Sequence, residues 1–444
     1  MIADKLKASV SRLPAMLAGV RRSDSVRAIG GMAFFSALGQ LCIFATLPVL
    51  TRLYDPAAFG VHALIMAFVA TASVAVCLCL EHRIVSTLDD SEADNMFAAA
   101  LMGVPVTTAL AAAVLAAMIG FGLFGYSKLP WWTVPLAAFA ILLNGVFSAC
   151  RSRVVRQQDY RLIARTGLAQ NVARALAPLP LFVLAPPWLG LTLGEMTGRL
   201  AGVRKLVRRV WARRESGDVW LRPRPWAALV RKEYRFSALL TATVLVDACA
   251  SQLISPLLAA TYGAQAAGVY FLVAMIIVGP SVLIGAGAAD YIHGKGAELL
   301  RLRPGELPAF ARRAATALLA LGLAIFAPLF VLAPLVLPMI FGTRWPHLSE
   351  TLQALTPFAI VGFVASPCSR LLASINRPTI KVICDVVRLI GVPVTLNASH
   401  SAGVHFTQAM WNLSWFLTGA YGLYLLLTYG AVVMSAREAQ RDEV

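Results

Sequence analysis

Two ionisable residues lie deep within apolar stretches of the sequence and have no oppositely charged partner on the same predicted helix. Arg174 lies roughly two helical turns into one such stretch, and Asp247 lies roughly three turns into another. At 1.5 Å per residue, Asp247 falls about 16 Å deep, close to the centre of a bilayer. A guanidinium binds anions, and a carboxylate at that depth can carry a proton or a cation. Each of the two must therefore face water, a ligand or another helix.

Other polar residues at membrane depth have simpler explanations. Glu195 and Arg199 are four residues apart, and Asp385 and Arg388 are three apart, so each pair can neutralise itself on one helical face. Whether these pairs bind each other or face a cavity is left open by their spacing. Further polar side chains at intermediate depth favour hydrogen bonds between helices, and they are Gln40, Asn144, Gln252 and Asn412.

Enzyme chemistry has little support in the sequence. HExxH, P-loop and GxSxG patterns do not occur, and the six histidines lie in separate segments outside mid-membrane. The seven cysteines lie in or at the ends of apolar runs and are interpreted as small hydrophobic residues. We predict no catalytic residue, no metal site and no cofactor, and we expect that the protein is not an enzyme.

The elements that hold these residues are predicted to be transmembrane helices. Of 444 residues 59% are apolar and only 14% charged, with a mean hydropathy of +0.72, whereas soluble proteins average about 45–50% and about 25%. Crossing the hydrocarbon takes about 20 apolar residues. Twelve such runs are predicted: 28–50, 59–80, 97–124, 131–150, 166–186, 187–206, 236–261, 266–288, 314–340, 352–372, 379–396 and 405–434.

The net charge of +17 is explained mainly by topology. With the N-terminus inside, most of the 39 Lys and Arg residues lie in cytoplasmic segments, and the outer loops carry only Arg52, Lys128 and Arg344. This asymmetry is typical of an inner-membrane protein with both termini in the cytoplasm. Because the basic residues are scattered over seven short segments, we predict no nucleic-acid partner.

An internal repeat divides the chain into two halves. Residues 47–64 read LPVLTRLYDPAAFGVHAL, and residues 255–272, shifted by 208 positions, read SPLLAATYGAQAAGVYFL. Pro, Tyr and Gly recur at the same places of a predicted tight turn between two spans, where Pro would end regular hydrogen bonding, Tyr would anchor at the interface and Gly would start the returning helix. Chance convergence of a hairpin is the alternative.

The repeat predicts an all-α polytopic fold of twelve transmembrane helices, in two six-helix lobes related by a pseudo-two-fold axis along the membrane normal. The basic linker between the lobes is predicted to lie against anionic lipid, with docking of a cytoplasmic partner as the alternative. The predicted divisions are an N-terminal segment, an N-lobe, a linker, a C-lobe and a tail, at 1–27, 28–206, 207–235, 236–434 and 435–444.

Several stretches, in order along the chain, resemble Wzx-type polysaccharide flippases of the multidrug/oligosaccharidyl-lipid/polysaccharide exporter superfamily. They cover almost the whole chain from about residue 28 to 375. The stretches that carry the resemblance are LPVLTRLYDPAAFGVHAL, EHRIVSTLDDSEADNM, RVVRQQDYRLIART, SPLLAATYGAQAAGVYFLVAMI and FGTRWPHLSETLQALTPFAIVGFVASPCSRLL.

The resemblance implies a transporter that moves undecaprenyl-pyrophosphate-linked oligosaccharide across the inner membrane by alternating access between two lobes. Gln40, Asp247 and Gln252 would then lie near the central cavity. We expect Arg174 and Arg388, on equivalent spans, to contact phosphate or glycan, and Asp247 to carry a coupling proton or cation. Because Arg199 and Arg388 have acidic neighbours, a strongly cationic cavity is in doubt.

The expected partners are lipid-linked oligosaccharide and membrane lipid, together with a polysaccharide polymerase and a chain-length regulator. A cation-coupled multidrug exporter of the same superfamily is the first alternative, although only Asp247 would supply it with a deep acid. A membrane polysaccharide polymerase or ligase is the second, and the short outer loops speak against it.

Overall fold

A computed structural model describes residues 24–184, 186–212 and 223–442, and this part of the chain is helical with no strand. Six short helical pieces join longer ones: Leu80–Ser86, Leu123–Lys128, Pro178–Leu181, Ile254–Thr261, Pro304–Glu306 and Arg370–Ser374. The long helices are α1 (Asp24–Leu53), α2 (Pro56–Ala75), α3 (Asp90–Gly120), α4 (Thr133–Arg156), α5 (Tyr160–Leu176), α6 (Pro187–Ala212), α7 (Pro223–Gln252), α8 (Ala264–Leu302), α9 (Leu307–Phe341), α10 (Leu348–Cys368), α11 (Thr379–Ser401) and α12 (Phe406–Asp442).

Within the described ranges, eight helices are long and apolar enough to cross a membrane, and a ninth span is formed if the bent pair Ser237–Gln252 and Ile254–Thr261 is one unit. The chain is thus a multi-pass membrane protein. The long helices outside this set are α5, α6 and α11. They are short or carry several charges, including those of the predicted site. The predicted count of twelve spans therefore stays a prediction.

Aspartates start three of the helices by accepting backbone hydrogen bonds at the N-terminus. The Asp55 carboxylate accepts from the N–H of Ala58 at 2.9 Å. Asp89 caps α3, and the hydroxyl of Ser91, which donates to it at 2.6 Å, lowers the pKa of its carboxyl group. Asp159 caps α5 and also binds Arg209 on α6 at 3.1 Å, so it ties two helices together at one end of the bundle.

The helices extend beyond several predicted boundaries. The predicted linker 207–235 contains the last turns of α6 and the first half of α7, and residues 213–222 lie outside the described part. The predicted tail 435–444 continues α12 as far as residue 442, and the predicted N-terminal segment 1–27 is described only from residue 24. Hydropathy marks where a helix leaves the hydrocarbon, whereas the backbone stays helical until a cap or a proline ends it.

The two halves pack their helices in the same pairwise pattern. In the first half α1 lies against α5, α5 against α6, α6 against α4, and α4 against both α2 and α3. In the second half α7 lies against α11, α11 against α12, α12 against α10, and α10 against both α8 and α9. The correspondence extends the sequence repeat to the whole bundle. The halves meet mainly along α2 and α8.

The repeated tyrosines have a different role from the predicted one. Tyr54 is only 2% exposed, and its hydroxyl donates to the carbonyl of Pro178 at 2.7 Å. The equivalent Tyr262 is half-buried and donates to the carbonyl of Val404 at 3.1 Å. Both carbonyls follow the fifth helix of their half. The tyrosines therefore bind the turn of the first helix pair to the end of the fifth helix instead of anchoring at the interface.

The repeated prolines also differ from the expectation and from each other. Pro48 lies inside α1, which continues helically to Leu53. Pro256 follows a bend of 40° between the segments Ser237–Gln252 and Ile254–Thr261. A proline ring clashes with the carbonyl four residues before it, which for Pro256 is the carbonyl of Gln252. Pro256 therefore explains why the helix bends directly after Gln252.

The repeated glycines mark the crossing of α2 and α8. A Cβ atom on Gly60 would lie 1.8 Å from the carbonyl oxygen of Ala264, and one on Gly268 would lie 1.8 Å from that of Pro56. Pro56 and Ala264 are themselves equivalent in the repeat, so the crossing is symmetric. Glycine is required here by the close approach of two helices, which is a stronger reason than the predicted start of a returning helix.

Candidate functional site

A cluster of charged side chains joins α7 to α11 in the second half; we call it the C-lobe cluster. The ammonium of Lys381 lies 3.0 Å from Asp247 and 2.6 Å from Asp385. The guanidinium of Arg388 lies 3.0 Å from Asp385 and 3.6 Å from Asp247, and it donates to the hydroxyl of Ser251 at 3.0 Å. Asp247 therefore has partners on another helix, which answers the question that its isolated position raised.

Burial divides the two acids of the C-lobe cluster into an inner and an outer one. The side chain of Asp385 is 4% exposed and that of Arg388 is 10% exposed, whereas Asp247 and Lys381 are 43% and 38% exposed. The ring of Tyr421 on α12 covers the Arg388 guanidinium at 4.8 Å. Two acids and two bases make the cluster formally neutral, with its outer edge formed by Asp247 and Lys381.

A second cluster joins α4, α5 and α6 in the first half; we call it the N-lobe cluster. Glu195 binds Arg174 at 3.2 Å and Arg199 at 2.9 Å, so Glu195 and Arg199 form the pair that their spacing left open. Arg199 also donates to the side-chain oxygen of Asn144, and the Asn144 amide donates to Ser73 at 2.7 Å. Glu195 is 12% exposed and Arg174 is 37% exposed. Two bases and one acid leave this cluster with a formal charge of +1.

A buried histidine connects the neighbourhood of the N-lobe cluster to the other half. The Thr192 hydroxyl, one turn before Glu195, donates to the Trp188 carbonyl at 2.9 Å and lies 3.1 Å from Nδ1 of His62. Because the hydroxyl has only one proton, Nδ1 of His62 is the donor in that contact. The ring of His62 meets the edge of Phe271 on α8 at 5.7 Å. The sequence analysis places His62 outside mid-membrane and does not predict its contacts with Thr192 and Phe271.

The predicted site residues are divided between the halves. Arg174 belongs to the N-lobe cluster, and Asp247 and Arg388 belong to the C-lobe cluster. Gln40 on α1 and Gln252 on α7 are half-buried, and neither takes part in the hydrogen bonds of the two clusters within the described residues.

Sequence reasoning missed Lys381 as a site residue, although the predicted span 379–396 contains it. Its spacing was a usable signal, because Lys381, Asp385 and Arg388 follow the i, i+4, i+7 pattern of one helical face. In the described part of the chain, no group of three or more His, Cys, Asp or Glu side chains is arranged so that it could hold a metal ion.

Comparison with known proteins assigns the chain to a family. A family model described as "Polysaccharide biosynthesis protein" matches residues 49–350, which is more than half of the chain. The chain belongs to the polysaccharide biosynthesis protein family. A sequence search of curated proteins finds no match.

Solved structures of transporters share the fold of this family member. A lipid II flippase, MurJ, in an inward closed conformation has a TM-score of 0.68 at 10% identity, covering 94% of this chain and 91% of that one. An inward-facing multidrug resistance MATE family transporter of the MOP superfamily has a TM-score of 0.61 at 12% identity, covering 93% and 96%. A MOP superfamily transporter from Pyrococcus furiosus, whose binding pocket is described as of reverse polarity, has a TM-score of 0.58 at 14% identity, covering 95% and 98%. The fold expected from the predicted superfamily is shared with these structures.

Proposed function

We propose that the protein is a flippase that moves undecaprenyl-pyrophosphate-linked oligosaccharide across the bacterial inner membrane for surface polysaccharide synthesis. The observation that carries this proposal is the match to a polysaccharide biosynthesis family in a chain whose fold is that of two-lobed transporters. The fold alone suits many substrates, and the family narrows them to intermediates of polysaccharide synthesis.

The two clusters suit a substrate with a charged head and an apolar tail. Taking a phosphate charge out of water into hydrocarbon costs many kcal/mol unless counter-charges and water replace its hydration. Arg174 at the outer edge of the N-lobe cluster and Lys381 at the outer edge of the C-lobe cluster supply such counter-charges, one in each half. The lipid tail can stay in the bilayer while the head passes between the lobes.

We assign roles to the predicted site residues on this basis. Arg174 and Arg388 contact the phosphate or the first sugars, and Gln40 and Gln252 line the path. Asp247, which the sequence predicts to carry a coupling proton or cation, couples substrate movement to the rocking of the lobes. Arg388 is nearly buried and already binds Asp247, Asp385 and Ser251, so it reaches substrate only if one of these contacts opens.

The remaining parts of the proposal concern the setting of the transporter. Transport requires no covalent step, so the protein is proposed to act without catalytic residues and without a cofactor. The asymmetric distribution of basic residues supports an inner-membrane location with both termini in the cytoplasm. A polysaccharide polymerase and a chain-length regulator are the proposed partners downstream.

A deletion strain tests the function. Removal of the gene is expected to abolish the surface polysaccharide and to accumulate its lipid-linked precursor in the cytoplasmic leaflet, and a plasmid copy is expected to restore both. Surface polysaccharide is measured by gel electrophoresis and precursor by mass spectrometry of extracted lipids. Normal polysaccharide in the deletion strain, combined with increased sensitivity to cationic drugs, would favour the multidrug exporter and contradict the proposal.

A further inference from the structure

Asp247, the outer acid of the C-lobe cluster, binds two cationic side chains, Lys381 and Arg388. Another anion can bind the same two side chains in its place. Lys381, Asp385 and Arg388 lie on one face of α11, and this face alone carries a formal charge of +1. Asp385 is buried and binds both cations, so it is a fixed part of α11. Asp247 belongs to a separate helix, and only it makes the cluster neutral.

The contacts of Asp247 are looser than those of Asp385. Asp385 lies 2.6 Å from Lys381 and 3.0 Å from Arg388, whereas Asp247 lies 3.0 Å and 3.6 Å from the same groups. The 3.6 Å contact is an ion pair without hydrogen-bond geometry. Nε of Arg388 is buried without a hydrogen-bond partner among the described residues. The cluster therefore holds a weakly bound, 43% exposed carboxylate beside a donor that is not satisfied.

We propose that Asp247 is a placeholder anion, which occupies Lys381 and Arg388 until a phosphate of the lipid-linked substrate displaces it. The inference rests on the proposed function and specifies how the C-lobe cluster takes part in it. Each phosphate of the pyrophosphate linkage offers two non-bridging acceptor oxygens, as a carboxylate does, and it binds an ammonium and a guanidinium with the same charge-assisted hydrogen bonds. Displacement preserves the charge balance of α11, so the cations never lack a counter-ion during transport.

The N-lobe cluster has no comparable placeholder among the described residues. Its single acid, Glu195, is 12% exposed and binds both Arg174 and Arg199. The charge of +1 is therefore present before any substrate arrives. One lobe thus attracts the anionic head permanently, and the other accepts it only in exchange for Asp247.

Displacement also has a mechanical consequence. Asp247 and Ser251 bind α7 to α11, and the hydroxyl of Ser237, near the middle of α7, donates to the carbonyl of Leu78 in the opposite half. A phosphate that takes the place of Asp247 removes the ion pairs between α7 and α11. Of these polar contacts only the Ser251–Arg388 hydrogen bond then holds α7 to α11, which makes movement of α7 with the opposite lobe less costly, so binding of the head is coupled to rearrangement without a transported ion at this position.

Binding of undecaprenyl pyrophosphate to the full-length protein in nanodiscs tests the placeholder. Asp247→Asn removes the competing charge and is expected to raise affinity about tenfold while lowering export in the deletion strain. Adding Lys381→Met to Asp247→Asn is expected to reverse the gain. Undecaprenol, which lacks the phosphates, is expected to show no such gain, and inorganic pyrophosphate shows whether the head alone is sufficient. Asp90→Asn, an exposed acid paired with Arg156, is the matched control.

An unchanged or weaker affinity of a folded Asp247→Asn protein would overturn the placeholder, and a loss of export without a gain in affinity would do the same and favour ion coupling. Asp247→Ser is a second neutral variant if Asp247→Asn does not fold. If neither wild type nor variant binds undecaprenyl pyrophosphate while the plasmid copy still restores polysaccharide, the placeholder is wrong and the flippase function stands.

Discussion

At the scale of single residues, the charged side chains of the apolar helices are stabilised by partners on other helices. Arg174 pairs with Glu195, and Asp247 pairs with Lys381. Such pairs are costly to break, because removing one partner leaves the other charge without compensation in a medium of low dielectric constant. Their outer members, Arg174, Asp247 and Lys381, are the ones placed to exchange partners.

Reversal of the charge at Arg174 is expected to reduce export at least about tenfold, because the N-lobe cluster changes from +1 to −1 and then repels an anionic head. Surface polysaccharide in the complemented deletion strain is the measurement. Arg174→Lys should retain part of the activity. The matched control is Arg301→Glu, at the exposed end of α8. Full export by Arg174→Glu would show that Arg174 does not contact the substrate.

Removal of the Tyr54 hydroxyl is expected to destabilise the protein by about 1–3 kcal/mol, because the buried carbonyl of Pro178 loses its donor. The apparent melting temperature of Tyr54→Phe in detergent should fall. Tyr262→Phe should have a smaller effect, since its hydroxyl is half-buried and water can replace it. Equal effects of the two variants would contradict this difference in burial.

At the scale of elements, α5, α6 and α11 are predicted spans that also carry the charged residues of the clusters. They fall outside the helices that qualify as spans by length and hydropathy. α5 and α6 hold three charged residues of the N-lobe cluster, and α11 holds three of the C-lobe cluster. The charges reduce hydropathy, yet they are neutralised mainly within the bundle. Hydropathy alone is therefore expected to undercount spans whose charges face protein instead of lipid, and the count of twelve stays a prediction.

The crossing of α2 and α8 gives a prediction at the same scale. Gly60→Ala and Gly268→Ala are each expected to lower the melting temperature and export, because the added methyl group would lie against a backbone carbonyl. An Ala in place of Gly normally stabilises a helix by about 1 kcal/mol, so the sign is opposite to the usual one. Gly103→Ala, which has open space at its Cβ, is the matched control. Destabilisation by Gly103→Ala as well would show that the crossing is not the cause.

At the scale of the whole molecule, the two lobes are joined at one end by contacts that follow the two-fold pattern. Trp345, in the loop between α9 and α10, donates to the carbonyl of Thr51 at 3.0 Å and stacks edge-on against Phe59. In the equivalent loop between α3 and α4, Gly125 lies against the backbone of Ala259 and Ala260, and Ala259 is the repeat equivalent of Thr51. Each lobe thus covers the turn of the first helix pair of the other, and the proposed alternating access requires these contacts to open.

Loss of the Trp345 indole is expected to loosen this end of the molecule. Trp345→Ala should increase hydrogen–deuterium exchange about tenfold or more in the first turns of α2 and α8, since local opening costs less free energy. Trp345→Phe, which keeps a ring against Phe59, should lie between. Trp415→Ala, at a 60% exposed indole, is the control. Unchanged exchange in Trp345→Ala would show that the glycine crossing alone holds the lobes.

Much of the architecture follows from the sequence, because the transfer of apolar residues into hydrocarbon is a local and nearly additive property. Composition predicts a polytopic helical membrane protein, and the distribution of basic residues predicts its orientation. The repeat at Pro48 to Leu64 predicts two equivalent halves, and the helix packing agrees with this prediction. Helical spacing, which is also local, allows the pairs Glu195–Arg199 and Asp385–Arg388 but does not decide whether they form.

The meeting of distant residues was decided only by the tertiary structure. Ser251 and Arg388 are 137 positions apart, and nothing in the local spacing of Asp247 indicates that α11 will bring Lys381 to it. Tyr54 and Gly60 recur in the repeat, but their recurrence does not distinguish a turn, an anchor at the membrane interface or a helix crossing. The physical reason is that pairing of charges and close packing depend on which helix faces overlap, and that is a property of the whole bundle.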